Sequence, residues 1–161
     1  MGSVTTIGTF LDAFRMALTE RAGLANVNIY TAYVSDEDMG AESIVLSWGD
    51  PEADYDYTVG TAQDKVGEEF EVPCRIWVTR HGAAESDIKA ARDRALALIE
   101  EVHDQLAVAY TNRVDRSSAL GVDTAFIDNW RLEQRMGGSG DVGRDCRLFF
   151  TIRCKARFTP A

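Results

Sequence analysis

Two histidines, His81 and His103, and three cysteines, Cys74, Cys146 and Cys154, are the side chains of this 161-residue chain best suited to metal or nucleophilic chemistry. Zinc needs several ligands converging on one point. Neither histidine stands in an H-x-x-x-H or H-x-x-E pattern, so no metal centre is expected. Each cysteine falls on the apolar side of an alternating, strand-like run, where a thiol behaves as a small hydrophobe. A nucleophilic thiol needs a nearby base and an exposed, electropositive setting. The cysteines therefore read as core residues. Their odd number and the lack of a C-x-x-C pair speak against a disulfide scaffold and for a reducing compartment.

Asp50, Glu52, Asp54 and Asp56 alternate, and such a run can hold a hard cation such as calcium. The run lacks the glycine and the distal glutamate of an EF-hand loop, so it reads as a solvated loop. Residues 137–143 carry four glycines with G-x-G spacing, but no helix follows and no lysine–serine pair closes the run. A phosphate-binding loop requires that context. Gly138, Gly140 and Asp141 therefore belong to a hairpin tip, of the kind that often orders against a partner.

Arg147, Phe149, Thr151, Arg153, Lys155 and Arg157 share one face of the last strand-like run. Three readings of that basic face compete: cross-strand pairing with Glu69 and Glu71, contact with an acidic neighbouring subunit, and approach to DNA phosphates. Oppositely charged strands suffice without any ligand, which favours the first.

The elements that carry these residues follow from periodicity. Ile7, Phe10, Leu11, Phe14 and Leu18 predict an amphipathic helix over 6–22, capped by Thr5 or Thr6 and ended by Gly23. Strands are predicted over 27–34 and 43–48, the second with Ile44, Leu46 and Trp48 on one face. Gly49-Asp50-Pro51 marks a turn. The acidic stretch 52–67 reads as a short strand or a mobile hairpin. A long strand over 68–80 puts Phe70, Val72, Cys74, Ile76 and Val78 on one face and Glu69, Glu71, Arg75 and Trp77 on the other. Pro73 cannot donate to a ladder, which predicts an edge position or a bulge. A second helix is predicted over 86–110, with Ile88, Ala91, Ala95, Leu98, Ile99, Val102, Leu106 and Ala109 as its buried stripe. A polar connection over 113–121 leads to strands over 124–136, with Phe126, Trp130 and Leu132 in phase, and over 144–158.

This order lacks the regular βαβ alternation of a doubly wound sheet. It predicts an α+β fold, a mostly antiparallel β-sheet with two main helices packed on one face. With 45% hydrophobic and 27% charged residues, the composition is that of an ordinary globular protein, and the length suits one domain over 1–161. The net charge of −9 disfavours general attraction to DNA or anionic lipid. No basic-then-apolar leader opens the chain and no apolar run approaches the roughly 20 residues of a membrane span, so a cytoplasmic protein, or a particle assembled there, is expected.

Several segments carry a further likeness. VGEEFEVPCRIWVTRHGAAESDIKAARDRALALIEEVHD (66–104) resembles the tail-terminator proteins of siphophages that infect Gram-positive bacteria. The preceding VGTAQDK is also typical of them, and TAFIDNWRLEQRMGGSGDVGRDCRLFFTIRCKARF (124–158) is similar to their closing hairpin. The likeness spans nearly the whole chain and lies in element pattern, not in an invariant motif. It implies a non-catalytic, cofactor-free virion subunit of the tail and neck region, assembled in the host cytoplasm. Such a subunit forms a homohexameric ring that caps the tail tube, ends tube polymerisation and joins tail to head. The implied partners are further copies of the chain, the tail tube protein and a head-completion (neck) protein. DNA would pass through the ring without specific binding, and no membrane is involved.

On this reading Glu69, Glu71, Gly138, Gly140, Asp141, Arg147, Arg153, Lys155 and Arg157 are the interface candidates. Reversing Arg153 and Arg157 together is expected to weaken assembly and spare the monomer. The segments 52–67 and 137–143 are expected to order on docking. Three alternatives stay open: a head-closure or tail-completion protein, a nucleic-acid-binding module using the basic strand, and a small-molecule enzyme. The last requires a pocket of convergent polar groups with shifted pKa values.

Overall fold

A computed structural model of the chain describes residues 5–57, 66–82, 84–111, 120–136 and 143–158. Two helices, α1 (Ile7–Thr19) and α2 (Glu85–Thr111), pack on one face of a six-stranded sheet. The strands are β1 (Asn28–Tyr30), β2 (Glu42–Val45), β3 (Glu52–Tyr57), β4 (Val66–His81), β5 (Thr124–Met136) and β6 (Gly143–Phe158). The predicted α+β class and its mostly antiparallel sheet are what the structure shows; among the described strands only β1 and β2 run parallel.

The sheet is built on β4 and β6, antiparallel partners from Val66↔Phe158 to His81↔Gly143. β5 flanks β6, while β2 and β3 share the other flank of β4. β4 is thus a central strand, not the edge or bulged strand that Pro73 suggested. β3 pairs with residues 66–71 and β2 with residues 75–78, and Pro73 falls between them. Its carbonyl accepts a hydrogen bond from the Trp48 N–H at 2.8 Å. The side of Pro73 that lacks an N–H therefore points into the gap between two strands, where no ladder donor is needed.

The helix-facing side of the sheet forms the core. The alternating set Phe70, Val72, Cys74, Ile76 and Val78 of β4 faces it, as do Cys146, Leu148, Phe150, Ile152, Cys154 and Ala156 of β6. All three cysteines are buried there as expected. Burial pushes the Cys74 thiol up to about 12 and Cys146 to about 11, and raises Cys154 as well, so all three are held protonated at neutral pH. α2 brings Ala91, Ala95, Leu98, Ile99, Val102 and Leu106 onto this surface. α1 contributes Phe10, Leu11, Phe14 and Leu18, with Phe10 stacked on Phe14 at 5.5 Å and edge-on to Phe70 at 5.9 Å.

α1 is bounded differently from the prediction. Thr6 is the N-cap residue, but its hydroxyl makes no cap bond to the helix; the Thr5 hydroxyl oxygen does, accepting from the Ile7 N–H at 3.2 Å. Both threonine hydroxyls also donate to the buried carboxylate of Glu68 on β4, which accepts in addition from the Thr6 N–H at 2.8 Å. A carboxylate at a helix N-terminus meets unpaired N–H groups and the positive end of the helix dipole. α1 also stops at Thr19, before Gly23, and a short 3-10 turn over Ala22–Leu24 then carries Leu24 into the core.

Three further differences are local. The strand predicted over 27–34 shrinks to Asn28–Tyr30. β2 ends at Val45, and Ser47 adopts φ +64°, which breaks the alternation. Ile44 and Leu46 stay in the main core, but Trp48 turns to the opposite face beside Val45, Trp77 and Met39. In β5 the register shifts between Ile127 and Asn129, leaving Asp128 as an extra residue. Trp130 and Leu132 pair with the core-facing Phe150 and Leu148, whereas Phe126 pairs with Arg153 on the other face. Phe126 is therefore out of phase with them.

Candidate functional site

The face of the sheet turned away from the helices collects most of the charged candidates. Successive rows across it, read from β4 to β6 to β5, are Trp77–Arg147–Glu133, Arg75–Phe149–Arg131, Pro73–Thr151–Asn129, Glu71–Arg153–Phe126 and Glu69–Lys155–Thr124. The small side chains of the Pro73 row divide it into two blocks.

The first block stacks arginines on aromatic rings. The Arg75 guanidinium lies 5.0 Å from the Trp48 ring centre and 5.3 Å from that of Trp77. Arg147 lies 4.3 Å from Trp77, and Arg131 lies 4.9 Å from Phe149. Trp48 meets Phe149 edge-on at 5.2 Å. The Arg75 side chain is only 3% exposed, and a buried cation has to be paired. Asp36, on a short 3-10 turn over Asp36–Asp38, supplies the carboxylate at 2.9 Å. It also reaches Arg147 at 3.4 Å, and Asp145 lies 3.1 Å from the same guanidinium.

The second block is a ladder of charge. Arg153 donates through Nε to Glu71 at 2.9 Å and through its terminal nitrogen to the same carboxylate, with Asp128 at 3.4 Å. The Glu71 hydrogen bond, then the Asp128 charge, raise the Arg153 pKa above its ordinary value. Lys155 lies 3.5 Å from Glu69. The cross-strand pairing of the basic face with Glu69 and Glu71 is thus realised. Arg157 stands opposite Gly67, exposed beside the end of the ladder. Glu52, Asp54 and Asp56 extend the block on β3, which takes the short-strand reading of this stretch and overturns the solvated-loop reading of its acids. Glu52 lies directly across from Glu71, and Asp54 across from Glu69.

Six of the nine interface candidates, Glu69, Glu71, Arg147, Arg153, Lys155 and Arg157, are thereby brought to one face. Gly138, Gly140 and Asp141 lie outside the described residues, as do residues 58–65 of the acidic segment. Sequence reasoning passed over Asp36, Arg131 and the Trp48–Arg75–Trp77 stack. The signal available was Arg75, two residues before Trp77 and set within the otherwise apolar run Cys74–Val78. The histidines converge on nothing: His81 is exposed at the end of β4 and His103 is exposed beside Asp104. Among the described residues no cluster of three histidine, cysteine, aspartate or glutamate side chains is placed to hold a metal. No described helix is long and apolar enough to cross a membrane. The depression of about 470 Å³ over Gly67, bordered by Asp54, Asp56, Glu69, Lys155 and Arg157, is wide open.

The fold is shared with a chain of the virion of a native gene transfer agent particle. The likeness covers 96% of this chain and 100% of that one, with a TM-score of 0.51 and 15% sequence identity. At that identity the likeness is one of fold. No protein-family model matches the sequence, and no curated protein matches it.

Proposed function

We propose that this chain is a structural subunit of a phage-like virion, and that copies of it form a ring, hexameric by its resemblance to tail terminators, which caps the tail tube, ends its growth and joins it to the head. The observation that carries the reading is the end-to-end correspondence of fold with a virion chain. The partners proposed are further copies of this chain, the tube protein and a neck protein. No catalytic step is assigned.

Charge distribution supports the reading. The helix face is consumed by the core, while the opposite face presents acids at β3 and exposed arginines at β5. Such a molecule can meet a copy of itself head to tail, and a head-to-tail contact that closes makes a ring.

Electron microscopy of the purified protein, alone and with tail tubes, tests this. Sixfold rings at one end of the tube are the expected result. Rings that bind the head vertex and ignore the tube would replace the terminator with a head-closure protein. A chain that associates neither with itself nor with tubes would overturn the structural reading altogether.

A further inference from the structure

We infer, building on the ring proposed above, that neighbouring copies meet edge to edge, with the acidic strand β3 of one copy seated beside the Arg131–Arg135 stretch of β5 in the next. β3 and β5 are the two margins of the half-sheet β3-β4-β6-β5, and among the described residues neither has a strand on its outer side. Each step across that half-sheet is antiparallel, so β3 and β5 run in opposite senses. A copy shifted sideways therefore sets its β3 antiparallel to its neighbour's β5 and continues the pattern of the sheet.

Charge selects this pairing. Like charges directly opposite one another destabilise a strand pair, yet Glu52 and Asp54 face Glu71 and Glu69. The cations in the same rows, Arg153 and Lys155, are held by Glu71 and Glu69. No ion pair joins Glu52, Asp54 or Asp56 to another described residue. The fold thus carries a strip of surplus negative charge along one margin. On the other margin Arg131 and Arg135, with side chains 69% and 55% exposed, share the single carboxylate of Glu133 at 3.2 and 3.3 Å. That margin has positive charge to spare. Phe126 and Trp130, 44% and 54% exposed, stand on the two faces of the same strand and offer apolar surface to whatever covers it.

The two margins do not lie level: Glu52 belongs to the row of Glu71 and Arg153, whereas Arg131 belongs to the row of Arg75 and Phe149, so seating β3 beside that stretch offsets neighbours along their strands.

A charge swap tests the contact. One variant carries Glu52→Lys and Asp54→Lys; the other carries Arg131→Glu and Arg135→Glu. Assembly is read by sedimentation velocity and electron microscopy, with and without tail tubes, and folding by circular dichroism. Each variant alone places like charges at every junction and is expected to associate at least tenfold more weakly than the wild type. An equimolar mixture is expected to recover rings, because each junction then joins opposite charges and the two variants alternate. The lysine variant should also melt no lower than the wild type, since its new residues face Glu71 and Glu69. If the glutamates beside Glu133 unfold β5, Arg131→Gln with Arg135→Gln takes their place, and loss of rings is still required. Rings from either charge-reversed variant alone, or failure of two folded variants to assemble together, overturns the edge contact and leaves the ring standing. Absence of rings from the wild type in both settings overturns the ring itself.

Discussion

Two carboxylates show how single side chains tie distant parts of this chain together. Glu42 on β2 accepts from Arg80 at 2.6 Å and from Arg94 of α2 at 3.0 Å. Burial alone would raise its pKa, but the hydrogen bonds and charges of Arg94 and Arg80 outweigh that effect and hold it below its usual value of 4.5. A carboxyl depressed in the folded state stabilises the protein above its unfolded pKa, and that contribution is lost as pH falls through the folded pKa. Glu42→Gln is therefore expected to flatten the acid limb of a stability-against-pH curve below about pH 4.5 and to cost stability at neutral pH, as followed by urea denaturation. Glu68 is the second case. Glu68→Ala would leave the Thr5 and Thr6 donors without their acceptor at the start of α1. A loss of about 1–3 kcal/mol is expected in the same assay. Removing Asp36 exposes a different weakness, because Arg75 would remain buried on Trp48 and Trp77 without its carboxylate. Asp36 is half in water, so the cost of Asp36→Ala should fall near the lower end of that range.

At the level of the element, the bulge at Asp128 decides which aromatic faces where. Its deletion would let Ile127 and Asn129 pair with Ile152 and Thr151 in unbroken sequence. Every neighbour would keep its face, and Arg153 would lose one of its two carboxylates. The deletion is expected to leave the fold intact with a change in stability near 1 kcal/mol or less, measured by thermal unfolding. The same bulge explains a limit on what the sequence discloses. Strict alternation made Phe126 a companion of Trp130 and Leu132, because a period of two cannot register one inserted residue. Ser47 hid Trp48 in the same way. Where alternation is unbroken, as in β4 and β6, the faces were legible, and so was the pairing of the basic face with Glu69 and Glu71; which cation meets which glutamate came only from the register. The helices were legible too, from the apolar stripes of Phe10–Leu18 and Ala91–Leu106. Asp36 was not, since its partner Arg75 lies 39 residues on and only the folded sheet brings them together. Pro73 was read correctly as a missing donor but assigned to the wrong setting. Two strands sharing one flank of a third is a tertiary fact with no local signature.

For the molecule as a whole, one face of the sheet is committed to the helices and the other carries arginine–aromatic stacks and a ladder of charge. A loss inside the core should be global: Phe14→Ala removes a ring that is fully buried and stacked on Phe10, and is expected to cost about 3–5 kcal/mol in urea unfolding. A change at the margins should instead leave the monomer intact and act on assembly. Arg153 makes the distinction sharp. Reversing it with Arg157, which the sequence suggested as a test of assembly, would also break the bonds to Glu71 and Asp128 within the chain. Arg131 and Arg135 on the margin separate the two effects better.

The placement of Pro73 has a mechanical corollary. Because β2 and β3 each grip a different stretch of β4, no hydrogen-bonded register continues from one into the other. The six residues of β3 can therefore detach like a door leaf on its own frame, while β2 and the long β4–β6 ladder stay shut. Amide deuteration should record this as faster labelling across Glu52–Tyr57 than across Glu42–Val45. If the leaf is also what a neighbour grasps, labelling of β3 should slow when copies come together, and slow there more than anywhere else on that flank.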